Sequence, residues 1–214
     1  QTGHAFIQVA SNGQNSIIVY GGANKQVTAG YIDEALSGFG KGDMLLIQNE
    51  TSCTREAIET ASEKGMSIAF NPSPFTQDIL DMPLEKLDWM ILNSTEGEYL
   101  SGAKDPDEII MKISSRYTDL QIVLTLGSDG AICFDGKTKY FQDSYKVKAV
   151  DTTGAGDTFT GYFLACISQG KKVTHALRTA SAAAALSVMS KGAAVSIPDM
   201  TRVSEFEDLY SRSI

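Results

Sequence analysis

The sequence predicts an α/β fold in which a mostly parallel β-sheet is covered by helices on both faces. Two observations predict it. Short apolar segments alternate with helical ones from residue 44 onward, and several of the strand segments are followed directly by polar residues. The 214 residues, 43% of them hydrophobic, are also enough to bury one sizeable core. Ligands of such folds bind beyond the carboxyl ends of the strands, so these polar ends predict where a site lies.

The first 24 residues predict a β-hairpin that is distinct from an α/β domain at 25–214. The segments His4–Ala10 and Ser16–Tyr20 are rich in β-forming residues. Between them, Ser11–Gly13 has the composition of a turn. The hairpin is therefore predicted as a small N-terminal appendage to the larger domain.

The middle of the chain supplies the alternating elements. Short apolar runs bounded by turn residues indicate strands, and Gly65 is expected to end a helix. The predicted elements are a helix at 31–39, a strand at 44–48, a helix at 54–64, strands at 66–70 and 89–92, helices at 94–100 and 107–117, a strand at 121–125, and a hairpin of 131–134 with 138–141.

The C-terminal part is predicted to be a glycine loop followed by helices. The loop covers 151–156, and the helices are predicted at 157–168, 173–189 and 204–211. The alanine run inside the second of these helices favours close helix packing over a binding site.

Composition excludes several classes of function. The net charge is −8 and no Lys/Arg cluster occurs, which argues against a nucleic-acid partner. No apolar run reaches the roughly 18 residues that cross a bilayer, so no membrane association is expected. The three cysteines are scattered without a CxxC pair, which is typical of a reduced, cytoplasmic protein.

The segment Asp151-Thr-Thr-Gly-Ala-Gly-Asp157 carries the clearest chemical signal. Gly154 and Gly156 allow a tight turn, and the helix that follows directs its N-terminal N–H groups and dipole at the loop. Such an arrangement favours a phosphate group. Asp157 can then accept the proton of an attacking hydroxyl. The alternative is a simple glycine turn in which Asp157 is the N-cap of the helix.

The segment 149–161 resembles the C-terminal signature of the ribokinase-like carbohydrate kinases. The resemblance extends over essentially the whole chain, and its matching segments occur in the family's order. These segments are Asn15–Asn24, Leu45–Glu50, Asn71–Pro74, Asn93–Glu96, Thr125–Gly130 and Lys191–Pro198.

The resemblance implies roles for the loop and for the strand ends. Gly154, Ala155 and Gly156 would form the anion hole, and Asp157 would be the catalytic base that also contacts the sugar. Glu50 would hydrogen-bond the sugar, although it can also be a solvated loop acid. The implied nucleotide-binding residues are Asn93, Thr125, Gly127, Ser128, Gly130, Gly156 and Ser181. Ser181 departs from the family, which often has Asn or His there.

The resemblance also implies two cations. Glu96 would lie near Mg²⁺, although a Glu at a helix start is often only a cap. A potassium ion would be bound between two loops, which can equally be ordinary loop ends. The implied potassium ligands are Asp151, Thr153, Ser187, Ser190, Gly192 and Ser196.

The implied activity is transfer of the γ-phosphoryl group of ATP to the primary hydroxyl of a sugar, with D-ribose as the expected acceptor. Alternatives are a related kinase for fructose, a nucleoside or a keto-sugar acid, and a nucleotide-binding fragment without catalysis. The family's N-terminal strand and glycine-rich sugar motif have no counterpart in this sequence. The expected partners are therefore a small sugar, ATP, and either a second copy in a homodimer or a segment that completes the N-terminus.

Overall fold

The computed structural model describes residues 1–9 and 15–211, and the chain divides into two compact units, Gln1–Asp88 and Trp89–Ile214. Each unit contains β-strands and helices of its own. Within the described part of the chain, every helix is too short or too polar to span a lipid bilayer.

The first unit begins with the two predicted hairpin strands. Strands β1 (His4–Val9) and β2 (Asn15–Tyr20) pair antiparallel, with Phe6 opposite Ile18. The predicted turn at Ser11–Gly13 lies outside the described residues. Phe6 and Ile18 are both exposed, so this face of the hairpin presents apolar side chains to solvent.

The rest of the first unit is a short helix followed by a strand–helix–strand arrangement. Helix α1 (Ala29–Ala35) precedes strand β3 (Met44–Gln48), helix α2 (Thr54–Glu63) and strand β4 (Ser67–Asn71). Strands β3 and β4 are parallel and in register over their whole length. Because parallel strands run in one direction, both strands end at the same edge of this pair.

The second unit contains four paired strands and five α-helices among its described residues. Strands β5 (Trp89–Asn93) and β6 (Gln121–Thr125) are parallel, whereas β7 (Ala131–Phe134) and β8 (Lys139–Gln142) continue the sheet antiparallel. The helices are α3 (Ser94–Ser101), α4 (Pro106–Arg116), α5 (Ala155–Ser168), α6 (Val173–Ser187) and α7 (Met200–Ser211).

The core of the second unit covers both faces of strand β5. Met90 and its neighbour Ile91 point to opposite faces of the strand, yet both are buried. Helix α5 packs Phe163 against Trp89, with 5.3 Å between the ring centroids. Most of the alanine run at 179–185 is buried in α6, as predicted, but Ala184 and Ala185 also line a cleft, so the preference for packing over a binding site is wrong for these two residues.

Three helices begin two or more residues earlier than the sequence predicts, because the residue that precedes the first turn lies further upstream. Helix α1 begins at 29 rather than 31, where the Thr28 hydroxyl accepts the Tyr31 N–H at 3.2 Å. Helix α5 begins at 155 rather than 157 because Gly154 is its N-cap. Helix α7 begins at 200 rather than 204, where the Asp199 carboxylate accepts the Arg202 N–H at 2.9 Å.

Candidate active site

The glycine loop leads directly into the first turn of helix α5. Gly154 has a left-handed φ of 75°, which glycine adopts without the steric cost of a side chain. The Thr158 amide and hydroxyl both donate to the Gly154 carbonyl at 2.9 Å, and no side chain among the described residues caps the helix at Gly154. The positive end of the α5 dipole therefore faces the loop, as an anion site requires.

Asp157 lies within this first turn and is exposed. It is not the N-cap, so the alternative interpretation of Asp157 as a cap is wrong. The helix dipole favours a carboxylate at this position. An exposed carboxylate beside an anion site can accept a proton from a hydroxyl that approaches the loop.

The Asp151 carboxylate connects the glycine loop to a second loop. One of its oxygens accepts the Thr153 N–H at 3.0 Å, and the other accepts the Gly192 N–H at 3.0 Å. These hydrogen bonds lower the pKa of Asp151 from 3.8 to about 2, and the bond from Gly192 has the largest effect. The structure thus brings together three of the predicted potassium ligands, Asp151, Thr153 and Gly192.

The remaining predicted potassium ligands supply oxygen atoms near the same loops. Ser187 and Ser196 are buried, and their hydroxyls donate to the carbonyls of Ala184 at 2.9 Å and Ala193 at 2.8 Å. Each hydroxyl oxygen keeps lone pairs that can still accept. Ser190 is exposed. Hydroxyl and carbonyl oxygens are the donors that replace the hydration shell of K⁺, so this set fits a potassium ion.

Asn93 and Glu96 form a capping box at the start of α3. The Asn93 side chain accepts the Glu96 N–H at 2.9 Å, and the Glu96 carboxylate accepts the Asn93 N–H at 2.9 Å. Glu96 is buried. Within the described residues no cluster of three His, Cys, Asp or Glu side chains is arranged to hold a metal. A single carboxylate still fits Mg²⁺, which keeps several waters and takes its other ligands from phosphates.

A cleft of about 360 Å³ lies in the second unit, and this volume falls within the range of small-molecule sites. It is bounded by the turn after β6, the start of α5 and one face of α6. Asn93, Glu96, Gly154 and Asp157 are not part of its lining. Seven predicted site residues line it: Thr125, Gly127, Ser128, Gly130, Ala155, Gly156 and Ser181.

Ten further lining residues escaped the sequence prediction. Three of them follow Ser181 at helical spacing, two on α6 and one at the residue that ends it, and this spacing is a signal that would have found them. The segment at 144–149, which follows β8, contributes five more without any motif of its own. The ten residues are Ser144, Tyr145, Lys146, Val147, Ala149, Thr152, Phe159, Ala184, Ala185 and Val188.

The predicted sugar contact, Glu50, belongs to the first unit and is exposed just after strand β3. Its neighbour Asn49 is buried and donates to the Pro74 carbonyl at 2.9 Å and to the Thr76 hydroxyl at 2.7 Å. The Asn71 side chain accepts an N–H two residues further on, from Ser73. The side chains of Asn49 and Asn71 therefore hold the 71–76 loop in place. Glu50 takes no part in these contacts and lies at the surface.

Comparison with known proteins identifies the family of this fold and site. Residues 1–200 match the pfkB family carbohydrate kinase. The chain belongs to this family. The predicted membership in the ribokinase-like carbohydrate kinases is therefore confirmed. As a carbohydrate kinase, the protein is a phosphotransferase that acts on sugar hydroxyls.

Individual relatives of the kinase include several ribokinases. The ribokinase of Haemophilus influenzae is 37% identical over 212 residues, which cover 96% of this chain and 69% of that protein. A crystal structure of ribokinase from Thermotoga maritima matches with a TM-score of 0.81 at 34% identity, over 96% of this chain and 69% of that one. A structure of Arabidopsis thaliana ribokinase complexed with ribose and ATP matches with a TM-score of 0.83 at 30% identity and the same coverage. These matches confirm the predicted α/β fold with a mostly parallel sheet.

Proposed function

We propose that this chain carries the nucleotide-binding and catalytic residues of a ribokinase, which transfers the γ-phosphoryl group of ATP to the primary hydroxyl of D-ribose. The start of helix α5 carries this proposal: Gly154 turns the chain, Ala155 and Gly156 line the cleft, and Asp157 follows in the same turn. The relatives named ribokinase, one of them complexed with ribose and ATP, support the choice of acceptor and donor.

In the proposed reaction, Asp157 takes the proton of the sugar hydroxyl as the hydroxyl oxygen attacks the γ-phosphorus. The bond from the γ-phosphorus to the bridging oxygen breaks, and ADP leaves. The N–H groups at the start of α5 stabilise the charge on the transferred phosphoryl group. The left-handed Gly154 allows this by turning the loop so that the helix end faces the phosphates.

The nucleotide is proposed to occupy the cleft of the second unit. The turn that contains Thr125, Gly127, Ser128 and Gly130 would follow its sugar and phosphates. The face of α6 around Ser181 is otherwise apolar and suits the flat surface of the base. Ser181 is shorter than the family's Asn or His, so its contact with the base would be a single hydroxyl.

Two cations complete the proposed site. Glu96 would hold a magnesium ion through one carboxylate, with water and phosphate oxygens as the other ligands. When bound, this ion would neutralise phosphate charge. The two loops joined by Asp151 would hold a potassium ion through carbonyl and hydroxyl oxygens, and its charge would favour an anion at the neighbouring start of α5.

The proposed sugar contact is Glu50, whose exposed carboxylate can accept hydrogen bonds from sugar hydroxyls. The loop beside it is held by buried amide contacts of Asn49. A fixed loop favours a defined position for the residues next to it. Glu50 would therefore bind the sugar, while Asp157 carries out the proton transfer.

The test is ADP release from ATP, with and without D-ribose, in a potassium buffer with magnesium. We expect release that depends on ribose and that D-fructose or a nucleoside does not replace. Asp157→Asn should lower turnover by roughly 10²- to 10⁴-fold while binding of a non-hydrolysable ATP analogue persists. Asp119→Asn, at an exposed position outside the site, is the matched control.

Two results would contradict the proposal. Near-normal turnover by Asp157→Asn would remove Asp157 from the role of base. Binding of the ATP analogue without any ribose-dependent release of ADP would favour the nucleotide-binding fragment without catalysis.

A further inference from the structure

The segment at 144–149 forms one wall of the cleft but has no helical or strand structure. Among the described residues, none of its backbone groups takes part in a backbone-to-backbone hydrogen bond. Five of its residues nonetheless line the cleft. The position of this wall must therefore be fixed by contacts from other parts of the chain.

The strongest of these contacts comes from Tyr210 on helix α7. The Tyr210 hydroxyl accepts the Lys146 N–H at 2.8 Å and donates to the Lys146 carbonyl at 3.0 Å. A single phenol thus satisfies both backbone groups of one residue, across 64 positions of sequence. Two hydrogen bonds from one oxygen fix the orientation of the wall as well as its distance from α7.

Aromatic packing joins the same two elements. The Tyr145 ring lies 5.1 Å from Phe206 and 4.8 Å from Tyr210, measured between centroids. Tyr145 also packs against a buried cluster that contains Ala182 of α6 and Val203 of α7. Such pairs stabilise beyond the area they bury. Tyr145, which lines the cleft, is therefore held in place by aromatic residues of α7.

Helix α7 is itself anchored on α6. Its Glu207 carboxylate accepts the Thr179 hydroxyl at 3.1 Å and lies 3.5 Å from the Arg178 guanidinium. Thr179 is buried and lies two residues before Ser181, which also lines the cleft. Helix α7 is therefore in contact with two of the elements that bound the cleft.

Lys146 extends this connection to the turn after β6. Its ammonium group donates to the Ser128 carbonyl at 3.0 Å and to the Ser144 hydroxyl at 3.3 Å. The Ser144 hydroxyl donates to the same Ser128 carbonyl. A continuous path of hydrogen bonds thus runs from Tyr210 through Lys146 to a turn that is proposed to follow the nucleotide.

We propose that Tyr210 is a positioning residue for nucleotide binding, and that helix α7 sets the shape of the nucleotide cleft through it. This inference rests on the proposed function, because it assigns the cleft to ATP. Tyr210 does not line the cleft, so it acts through Lys146 and Tyr145. A wall that is displaced would weaken binding of ATP, whereas the start of α5 and the sugar contact would be unchanged.

The test is Tyr210→Phe, which deletes the hydroxyl and keeps the ring. We expect the KM for ATP and the Kd for a non-hydrolysable ATP analogue to rise roughly fivefold, with kcat and the KM for ribose unchanged. Tyr140→Phe is the matched control, because its hydroxyl bonds to Asp135 at 3.1 Å and Tyr140 does not line the cleft. Phe206→Leu removes the ring behind Tyr145 and should raise the same two constants.

A merely structural role would lower the melting temperature of Tyr210→Phe and Tyr140→Phe alike without changing either constant for the nucleotide. That result would overturn the inference while leaving the proposed function intact. If the protein without substitutions binds no ATP analogue, both the inference and the proposed function would be overturned. A rise in the ATP constants that is confined to Tyr210→Phe and Phe206→Leu would support the inference.

Discussion

Two buried threonines on helix α5 differ in whether their hydroxyls have a partner. The Thr158 hydroxyl donates to the Gly154 carbonyl at 2.9 Å, whereas the Thr160 hydroxyl has no hydrogen-bond partner among the described residues. Both side chains are only 3% exposed. An unpaired buried hydroxyl costs about 1–3 kcal/mol, so its removal should stabilise the protein.

We therefore expect opposite effects from the same substitution at the two sites. Thr160→Val should raise the free energy of unfolding by about 1 kcal/mol, and Thr158→Val should lower it by a similar amount. Urea unfolding followed by circular dichroism measures both. Equal destabilisation by the two variants would contradict the assignment of Thr160 as unpaired.

The sequence predicted residues whose role depends on local backbone chemistry. Gly154 and Asp157 were predicted correctly as a turn glycine and a carboxylate at a helix start, because both features are local in sequence. Lys146 could not be predicted in the same way. Its place at the cleft depends on a phenol 64 positions further on, and no motif signals such a pair.

At the scale of an element, the first turn of α5 contains two glycines with different demands. A Cβ on Gly154 would lie 3.2 Å from the Cβ of Ala193, at a left-handed φ that strains an alanine. A Cβ on Gly156 would meet no atom within 4 Å, and Gly156 has ordinary helical geometry. Gly154 is thus required by the fold, whereas Gly156 lines the cleft and leaves space there.

This difference predicts that stability and activity separate. Gly154→Ala should lower the melting temperature. Gly156→Ala should preserve or raise the melting temperature, since alanine stabilises a helix by roughly 0.4–1 kcal/mol relative to glycine. The same substitution should reduce kcat/KM for ATP by roughly a hundredfold, because the added methyl group occupies space in the cleft. Thermal melts and steady-state kinetics on both variants provide the check. A fully active Gly156→Ala variant would argue against phosphate contact at this turn.

The Asp151 link between two loops predicts a pH dependence of stability. The folded-state pKa of Asp151 is about 2, below its ordinary 3.8, because the Gly192 and Thr153 N–H groups favour the charged form. A lowered pKa means that the stabilising contribution is fully present above about pH 4 and is lost as pH falls toward 2.

The difference in melting temperature between the wild type and Asp151→Asn should therefore be constant from pH 8 to pH 5 and shrink below pH 4. Asparagine keeps one acceptor oxygen, so only one of the two loops stays bonded. Melts in a series of buffers at fixed ionic strength measure this difference. A difference that does not change between pH 5 and pH 2 would show that the charge of Asp151 has no part in the link.

The interiors of the elements were easier to predict than their ends. Strands β3, β6 and β7 have the predicted bounds, because short apolar runs between turn residues define a strand completely. Helices α1, α5 and α7 begin earlier than predicted. The first turns of α1 and α7 are specified by single capping contacts, such as that of Asp199, and the first turn of α5 by the left-handed Gly154; none of these features alters the apolar pattern.

At the scale of the whole molecule, the family was predictable because its motifs are distributed along the chain in a fixed order. The glycine loop, the Asn93–Glu96 pair and the turn after β6 lie in one unit, whereas Glu50 lies in the other. Each motif taken alone has an ordinary structural explanation, and the capping box at Asn93 shows one of them. The division into a hairpin at 1–24 and a domain at 25–214 stays a prediction.

The hairpin carries the last prediction, which concerns assembly. Phe6 is 61% exposed, Ile18 63% and Tyr20 52%, and all three lie on one face because Phe6 pairs with Ile18 and Tyr20 lies two residues further on. A contiguous exposed apolar face is typical of an interface. Together with the expectation of a homodimer, it leads us to propose that two copies associate through this face.

Ile18→Glu would place a carboxylate in the centre of the proposed contact, twice in a symmetric dimer, so burial and repulsion should both oppose association. Val19→Glu is the matched control, because Val19 is 67% exposed but points to the opposite face of the strand. Sedimentation velocity over a concentration series should show a dimer for the wild type and for Val19→Glu, and a monomer for Ile18→Glu. A wild type that stays monomeric at every concentration would contradict the dimer. Dimers that persist in Ile18→Glu would place the interface elsewhere, because a charge buried at a two-fold contact cannot be neutral in its effect.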